Sequence, residues 1–412
     1  MSTEASSAKP TLAEGVDGAY PGWLLLGALA LTPLLAYLGN LGFAPLTAIV
    51  GLACLPLLAR DRSPSLGMAI LCGLLAWGLI STAWSPVAPL APNFHRYKEV
   101  EALTWLKLIL QLPLYGAFVF AASRTSPTLA RRSVLVLGVG MTILAVFLLI
   151  EGVDSAAVYQ WIKAHVGDPT RPDLARRNVA RACYVLVLLL WPAALMLWRC
   201  RLKSLTVAIS MAVVVGPLLL DVDAPLAALL VSLAAFLLVR FAGQIGIYLL
   251  MAGTTLYFAF APVLLTLVGG AIGGKASWGA RQAIWRFVVD RIYEHPLRGW
   301  GLDASRSLPE PVPLHPHDGA LQLWLELGVP GAVLSALFWA WMIWSLATVE
   351  ARDRTLAAVG AATAFAYLTI GALSFGIWQE WWLALGALAA GVFALSNVSS
   401  AAHVHTRQAY YQ

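Results

Sequence analysis

Charge is what this 412-residue chain has least of: Asp, Glu, Lys and Arg together make up 12% of it, against 60% hydrophobic residues. A soluble domain carries about twice that share of charge, so the composition excludes an ordinary water-soluble fold. Cysteine is also scarce. The four, Cys54, Cys72, Cys183 and Cys200, fall in or at the ends of apolar runs without metal-ligand spacing, and such cysteines read as small packing residues. Long basic blocks are missing, and the net charge is only +6, so the sequence offers nucleic acid no footing. No positively charged n-region with a cleavage site precedes the first apolar run, which is therefore expected to remain as a membrane helix behind a polar, disordered N-terminus over 1–21. Neither a soluble second domain nor an internal repeat is visible.

What fills the chain is apolar runs of about the 20 residues that cross a bilayer. They lie near 22–38, 43–59, 65–84, 102–122, 133–151, 179–198, 204–220, 224–239, 245–268, 319–346, 355–373 and 378–397. The expected fold is an all-α polytopic membrane protein with about twelve transmembrane helices. Nine occupy 22–268. A large loop over 269–318 precedes three more over 319–397 and a tail over 398–412. Basic residues set the orientation. Arg60 and Arg62, then Arg124, Arg131 and Arg132, then Arg199, Arg201 and Lys203, then Arg240, then Arg352 and Arg354 all follow even-numbered spans. Both termini are thus expected in the cytoplasm, and the long loops 85–101, 152–178 and 269–318 outside.

Two of those outer loops break the usual bias. One holds Lys163, Arg171, Arg176, Arg177 and, at the following helix start, Arg181. The other holds Lys275, Arg281, Arg286, Arg291, Arg298 and Arg306. Two explanations stand: pairing with Asp173, Asp290, Glu294, Asp303 and lipid phosphates, or a site for a multiply charged anion such as pyrophosphate, which the planar fork of arginine binds bidentately. Residues 279–294 repeat at helical period, with Ile284, Val288 and Ile292 on one face and Gln282, Arg286 and Asp290 on another. They are expected to form an amphipathic helix on the outer leaflet. Lys107 is expected to snorkel or to pair with Glu99 or Glu101, and Glu380 sits in a tryptophan-rich interfacial belt.

The stretch 314–334 concentrates the polar chemistry. His315 and His317 stand in a loop that runs without a break into an apolar helix carrying Asp318, Gln322 and Glu326 at i, i+4 and i+8. That stripe must face protein or water, because ionisable groups cost several kcal/mol in lipid. The histidine pair has three possible roles: metal ligands, although further ligands at suitable spacing are missing; local hydrogen bonding; or a general base, kept neutral by nearby arginines. A base beside a pyrophosphate clamp suits group transfer from a lipid diphosphate to a hydroxyl, without a divalent ion. A lipid or solute transporter is a rival of another class, but such proteins gather polar groups near the midplane in paired halves.

The pattern His315-x-His317-Asp318-x-x-Leu321-Gln322-x-x-x-Glu326-x-Gly328-x-x-Gly331 resembles the signature of the O-antigen ligase and polymerase superfamily. So do Arg281-x-x-x-Trp285 with Pro296, Gly299 and Gly301, the turn Trp84-Ser85-Pro86, and Ser374-Phe375-Gly376 with the Trp378–Trp382 cluster. The resemblance implies a metal-independent, cofactor-free inner-membrane glycosyltransferase, similar to the GT-C type. It would move a glycan from undecaprenyl pyrophosphate to the lipid A-core oligosaccharide on the periplasmic face, with inversion; polymerase and protein O-oligosaccharyltransferase are the family alternatives. Membrane lipid is the implied surrounding, nucleic acid is not implied, and the oligomeric state stays open, a monomer included. Carried over by motif, His317 is the base, with His315 and Glu326 in the catalytic set. Arg281, with Arg286 and Arg291 on the same segment, is the pyrophosphate contact. The family's Ser-Arg pair ahead of the large loop is absent at Asp221-Val222-Asp223, so Arg176, Arg177 or Arg181 is expected to supply the second cation.

Overall fold

The computed structural model describes residues 12–60, 65–87, 103–268 and 276–410. Among them there are fourteen α-helices and no strand. In chain order they are α1 (Leu12–Leu38), α2 (Phe43–Arg60), α3 (Leu66–Ser81), α4 (Thr104–Ser123), α5 (Pro127–Val153), α6 (Ala157–His165), α7 (Pro172–Arg199), α8 (Lys203–Leu219), α9 (Asp223–Ala242), α10 (Gln244–Val268), α11 (Ala276–Glu294), α12 (Gly319–Glu350), α13 (Arg354–Leu373) and α14 (Glu380–Tyr410). Eleven are long and apolar enough to cross a membrane, and α8 is an apolar helix of 17 residues. These twelve match the twelve runs read from the sequence. Leucines and isoleucines such as Ile143 and Leu230 stay exposed on their outer faces, where lipid in place of water makes exposure favourable.

Most of α1, α2, α4, α5, α7, α8 and α14 share one buried core; α3, α10, α11 and α12 share a second with the loop before α12. At one end of the bundle the loop arginines join helix ends: Arg199 bonds Asp353 at 2.5 Å and also Ser400, Arg131 lies 3.7 Å from the Cys200 sulfur, and Arg354 pairs with Glu350 at 2.7 Å. The histidine loop, the start of α4, the start of α7 and α11 gather at the other end.

Three local outcomes differ from the sequence reading. The loop after α5 folds into α6, nine residues long and too short for its periodicity to stand out. Helix α7 begins at Pro172, seven residues before the predicted span, because proline is favoured in a first turn and Asp173 suits the positive helix end. The helix after the histidines does break: Gly328 takes φ 61° and ψ −155°, and Pro330 follows. Pro330 has no N–H for the Glu326 carbonyl, and the Val329 N–H turns to Pro296 O at 3.0 Å instead of to Leu325. The freed carbonyls are taken up by the loop: Trp300 N–H donates to Leu325 O and Gly301 N–H to Glu326 O, each at 2.8 Å, and the Trp77 indole donates to Leu327 O at 2.8 Å. Irregular backbone at membrane depth survives only when satisfied in this way.

Helix α11 does not offer its apolar face to lipid. Ile284, Trp285, Val288, Val289 and Ile292 are all buried in the second core.

Candidate active site

The site begins with the two pieces that hold the histidine loop. From α11, the Trp285 indole donates to Pro316 O at 3.1 Å, and one turn earlier Arg281 donates from Nε to Leu373 O at 2.9 Å. The i, i+4 spacing puts both on one face. From below, Asp318 caps α12 by accepting the Leu321 N–H at 2.8 Å, while its other oxygen accepts the Tyr257 hydroxyl at 2.8 Å. Burial pushes the Asp318 carboxyl up to about 6, with the bonds it accepts pulling the other way. Between these anchors His317 adopts φ 57°, a left-handed conformation uncommon for a residue with a Cβ and often tolerated at functional sites.

The hydrogen bonds fix both tautomers. His317 Nδ1 lies 2.8 Å from the Ser374 carbonyl. A carbonyl only accepts, so Nδ1 carries the proton and Nε2 keeps its lone pair. His315 Nδ1 instead accepts the His317 backbone N–H at 3.2 Å, so its proton sits on Nε2, 3.4 Å from the Gln379 amide. Gln379 Oε1 is otherwise unpartnered; turning the amide gives both groups a bond. The two rings meet edge to face at 4.4 Å. Gly376 lies against His315: a Cβ there would stand 3.0 Å from the ring. Burial lowers the His315 pKa to about 4, helped by His317 and Arg306. Burial likewise lowers that of His317, opposed by the Ser374 bond and helped by Arg281. Both rings are neutral at pH 7, and burial rather than the arginines is the main cause.

Around this pair the motif segments interlock. Trp84 Nε1 donates to Gly299 O at 3.2 Å, Ser85 Oγ to Leu302 O at 2.7 Å, and Leu302 N–H to Ser81 Oγ at 2.9 Å. Gly301, at φ 98°, passes so close that a Cβ would sit 2.6 Å from Ser85 Cα. Glu326, fully buried, ties three segments. Its Oε2 accepts the Asp303 N–H at 2.8 Å and the Trp378 indole at 2.5 Å; its Oε1 accepts the Gln322 amide at 3.0 Å. Gln322 in turn accepts the Ile377 N–H at 2.9 Å. No hydrogen bond joins Glu326 to either histidine.

Proteins with related sequences carry a common name. A candidate polysaccharide ligase of Rickettsia conorii is 26% identical over 334 residues, 75% of this chain and 76% of that protein. Proteins of the same description from Rickettsia typhi and Rickettsia prowazekii are 32% and 31% identical over shorter stretches, 27% and 26% of this chain and 31% and 29% of those proteins. No protein-family model matches the chain.

The arginines expected at the site divide. Arg281 lies beside His317, its guanidinium 5.3 Å over Trp278. Arg181 and Arg281 both act electrostatically on Tyr184, whose hydroxyl is 3.5 Å from Ser374 Oγ. Arg176 holds the end of α8 through Leu219 O at 2.6 Å, and Arg177, like Arg181, is exposed. Arg286 is exposed beside Leu265 and Thr266, and Arg291 pairs with Glu294 at 2.8 Å with its guanidinium over Phe287. The reason lies in the helix: a spacing of five residues turns each arginine about 140° from the last, so 281, 286 and 291 face three directions. Pairing accounts for other loop cations as well, Arg171 with Asp173 and Arg306 with Asp303, each at 3.1 Å. Lys107 pairs with Glu380 at 2.6 Å; Glu99 and Glu101 lie outside the described residues, as do Lys275 and residues 1–11, while residues 12–21, expected to be disordered, are the first turns of α1. Among the described residues no three His, Cys, Asp or Glu side chains are grouped to hold a metal. Tyr184, Gln379 and Arg306 were not among the sequence-derived site residues, and only Arg306, as one of the loop cations, left a signal.

Proposed function

We propose that this chain is a glycan ligase of the bacterial inner membrane. It transfers a glycan from undecaprenyl pyrophosphate to a hydroxyl of the lipid A-core oligosaccharide on the periplasmic face. The observation that carries the reading is the neutral His317 ring, oriented by the Ser374 carbonyl so that the lone pair stands on Nε2, beside Arg281. The acceptor oxygen attacks the anomeric carbon and gives its proton to His317 Nε2. The bond from that carbon to the diphosphate oxygen breaks, and its electrons leave with the diphosphate. Arg281 and Arg181 neutralise the charge that grows on it. Attack opposite the leaving group inverts the anomeric centre.

The names of the related proteins support ligation over polymerisation. The gathering of loop arginines at the far end of the bundle supports a cytoplasmic assignment for that end, with both termini, and a periplasmic one for 269–318. Purified protein in lipid nanodiscs, given an undecaprenyl-diphosphate glycan and rough lipopolysaccharide, is expected to form the extended lipopolysaccharide. His317→Ala is expected to abolish transfer while inserting and folding normally; transfer near the wild-type rate in that variant would overturn the base assignment.

A further inference from the structure

On the proposed reading, the donor's diphosphate lies on the Arg281 side of the histidine pair. The His315 end of the pair carries a second polar group that the transfer step above does not use. Lys107 and Gln111 from α4 hold the Glu380 carboxylate, at 2.6 Å and 3.1 Å. Beside them Asp303 accepts the Thr104 hydroxyl at 2.7 Å and pairs with Arg306. Arg306 acts electrostatically on Glu380, on Asp303 and on His315, so cation and anion alternate around a patch that ends at the His315 ring. Gln379, next in chain to Glu380, makes the bond to that ring.

The exposure of these groups separates them from the structural pairs. Glu326 is sealed, whereas the side chains of Lys107, Glu380 and Arg306 keep 23%, 36% and 44% of their surface open. A partly exposed pair such as Lys107–Glu380 adds about 0–1 kcal/mol to stability, too little to explain its place, with Arg306, at the His315 end of the histidine pair. Their chemistry suits a ligand with many hydroxyls: a carboxylate accepts from sugar O–H groups while ammonium, amide and guanidinium donate to sugar oxygens. The position suits it too, since the two polar groups adjoin different members of the histidine pair, Arg281 beside His317 and Arg306 beside His315.

We infer that Lys107, Gln111, Glu380 and Arg306 form the subsite for the acceptor sugar, the residue that bears the attacking hydroxyl, with Glu380 as the main determinant of acceptor affinity. The test measures separate KM values for rough lipopolysaccharide and for a polyprenyl-diphosphate-linked glycan. Glu380→Gln is expected to raise the acceptor KM tenfold or more and to leave the donor KM within twofold. The exchange Lys107→Glu with Glu380→Lys rebuilds the ion pair; it is expected to restore thermal stability but not the acceptor KM. An acceptor KM unmoved by Glu380→Gln, both KM values rising together, or recovery of the acceptor KM in the exchange variant would each overturn the subsite. Wild-type protein that transfers nothing from a polyprenyl diphosphate would instead overturn the functional reading on which it rests.

Discussion

Removing Glu326 tests the assembly most directly. In Glu326→Ala three buried donors, the Asp303 amide, the Trp378 indole and the Gln322 side-chain amide, lose their acceptor together. An unsatisfied buried donor costs about 1–3 kcal/mol, so the loss is about 3–9 kcal/mol before water enters and before the carboxylate's own desolvation is relieved. Even the low end is a large part of the 5–15 kcal/mol typical of a folded protein. Glu326→Gln should do less harm. Its amide oxygen can replace Oε2 and keep the Asp303 and Trp378 bonds, but its NH2 then faces the Gln322 NH2. Gln322 cannot turn without giving up the Ile377 N–H. One bond is lost either way, about 1–3 kcal/mol. The expected order of thermal midpoints in detergent is wild type, then Gln, then Ala. Transfer should fall by about 100-fold or more in the Ala variant, the scale of loss when a reacting group is displaced by about 1 Å. An Ala variant that melts with the wild type and transfers within twofold of it would refute the view that this carboxylate ties the site together. Equal midpoints for Ala and Gln would refute the donor count.

Three further outcomes follow from the same geometry. The proposed base, His317, must be neutral to accept a proton, and its pKa is lowered, so the rate is expected to fall as pH drops through a value below the 6.5 of a free imidazole; an acid limb at or above 6.5 would contradict this. Stability should track pH weakly over that window. His315, lowered to about 4, binds fewer protons folded than unfolded and loses stability as pH falls, whereas Asp318, raised to about 6, does the reverse, a balance a series of thermal melts between pH 4 and 7 would check. Arg281→Ala and Arg181→Ala are each expected to slow transfer about 10-fold or more, from charge-assisted bonds worth about 1.5–3 kcal/mol, while Arg286→Ala and Arg291→Ala stay within about twofold in the same assay. Gly376→Ala forces a Cβ to 3.0 Å from the His315 ring, and steady-state kinetics should show a lower kcat with little change in the melting midpoint.

The twelve spans were legible because bilayer-length apolar runs leave little freedom, and the motif segments because their glycines and tryptophans mark close approaches. What escaped the sequence depends on direction or on distant partners. Arg281, Arg286 and Arg291 look equivalent along a loop, but the helical turn sends only Arg281 to the histidines. Arg176, Arg177 and Arg181 look equivalent in sequence; Arg176 spends its guanidinium on the end of α8, and of the other two only Arg181, itself exposed, acts electrostatically on Tyr184. The glycine and proline that break α12 were in plain view, but the break is stable only because Trp77, Trp300 and Gly301 reach its carbonyls. Lys107 has acidic neighbours close in sequence, but the ion it meets, Glu380, lies in the last helix.

The break and the histidine loop are one device. Opening α12 at Gly328 frees the carbonyls of Leu325 and Glu326, and the loop that satisfies them, 299–301, is the same loop that carries Asp303 to Glu326. Glu326 then reaches Trp378, next to the segment whose Ser374 carbonyl orients His317. A backbone defect at membrane depth is thereby connected, through one buried carboxylate, to the tautomer of the ring at the membrane surface. If Gly328 and Pro330 were replaced by residues that continue the helix, the carbonyls would return to α12, the 299–301 loop would lose its partners, and the imidazole would lose its fixed orientation although no residue touching it had changed.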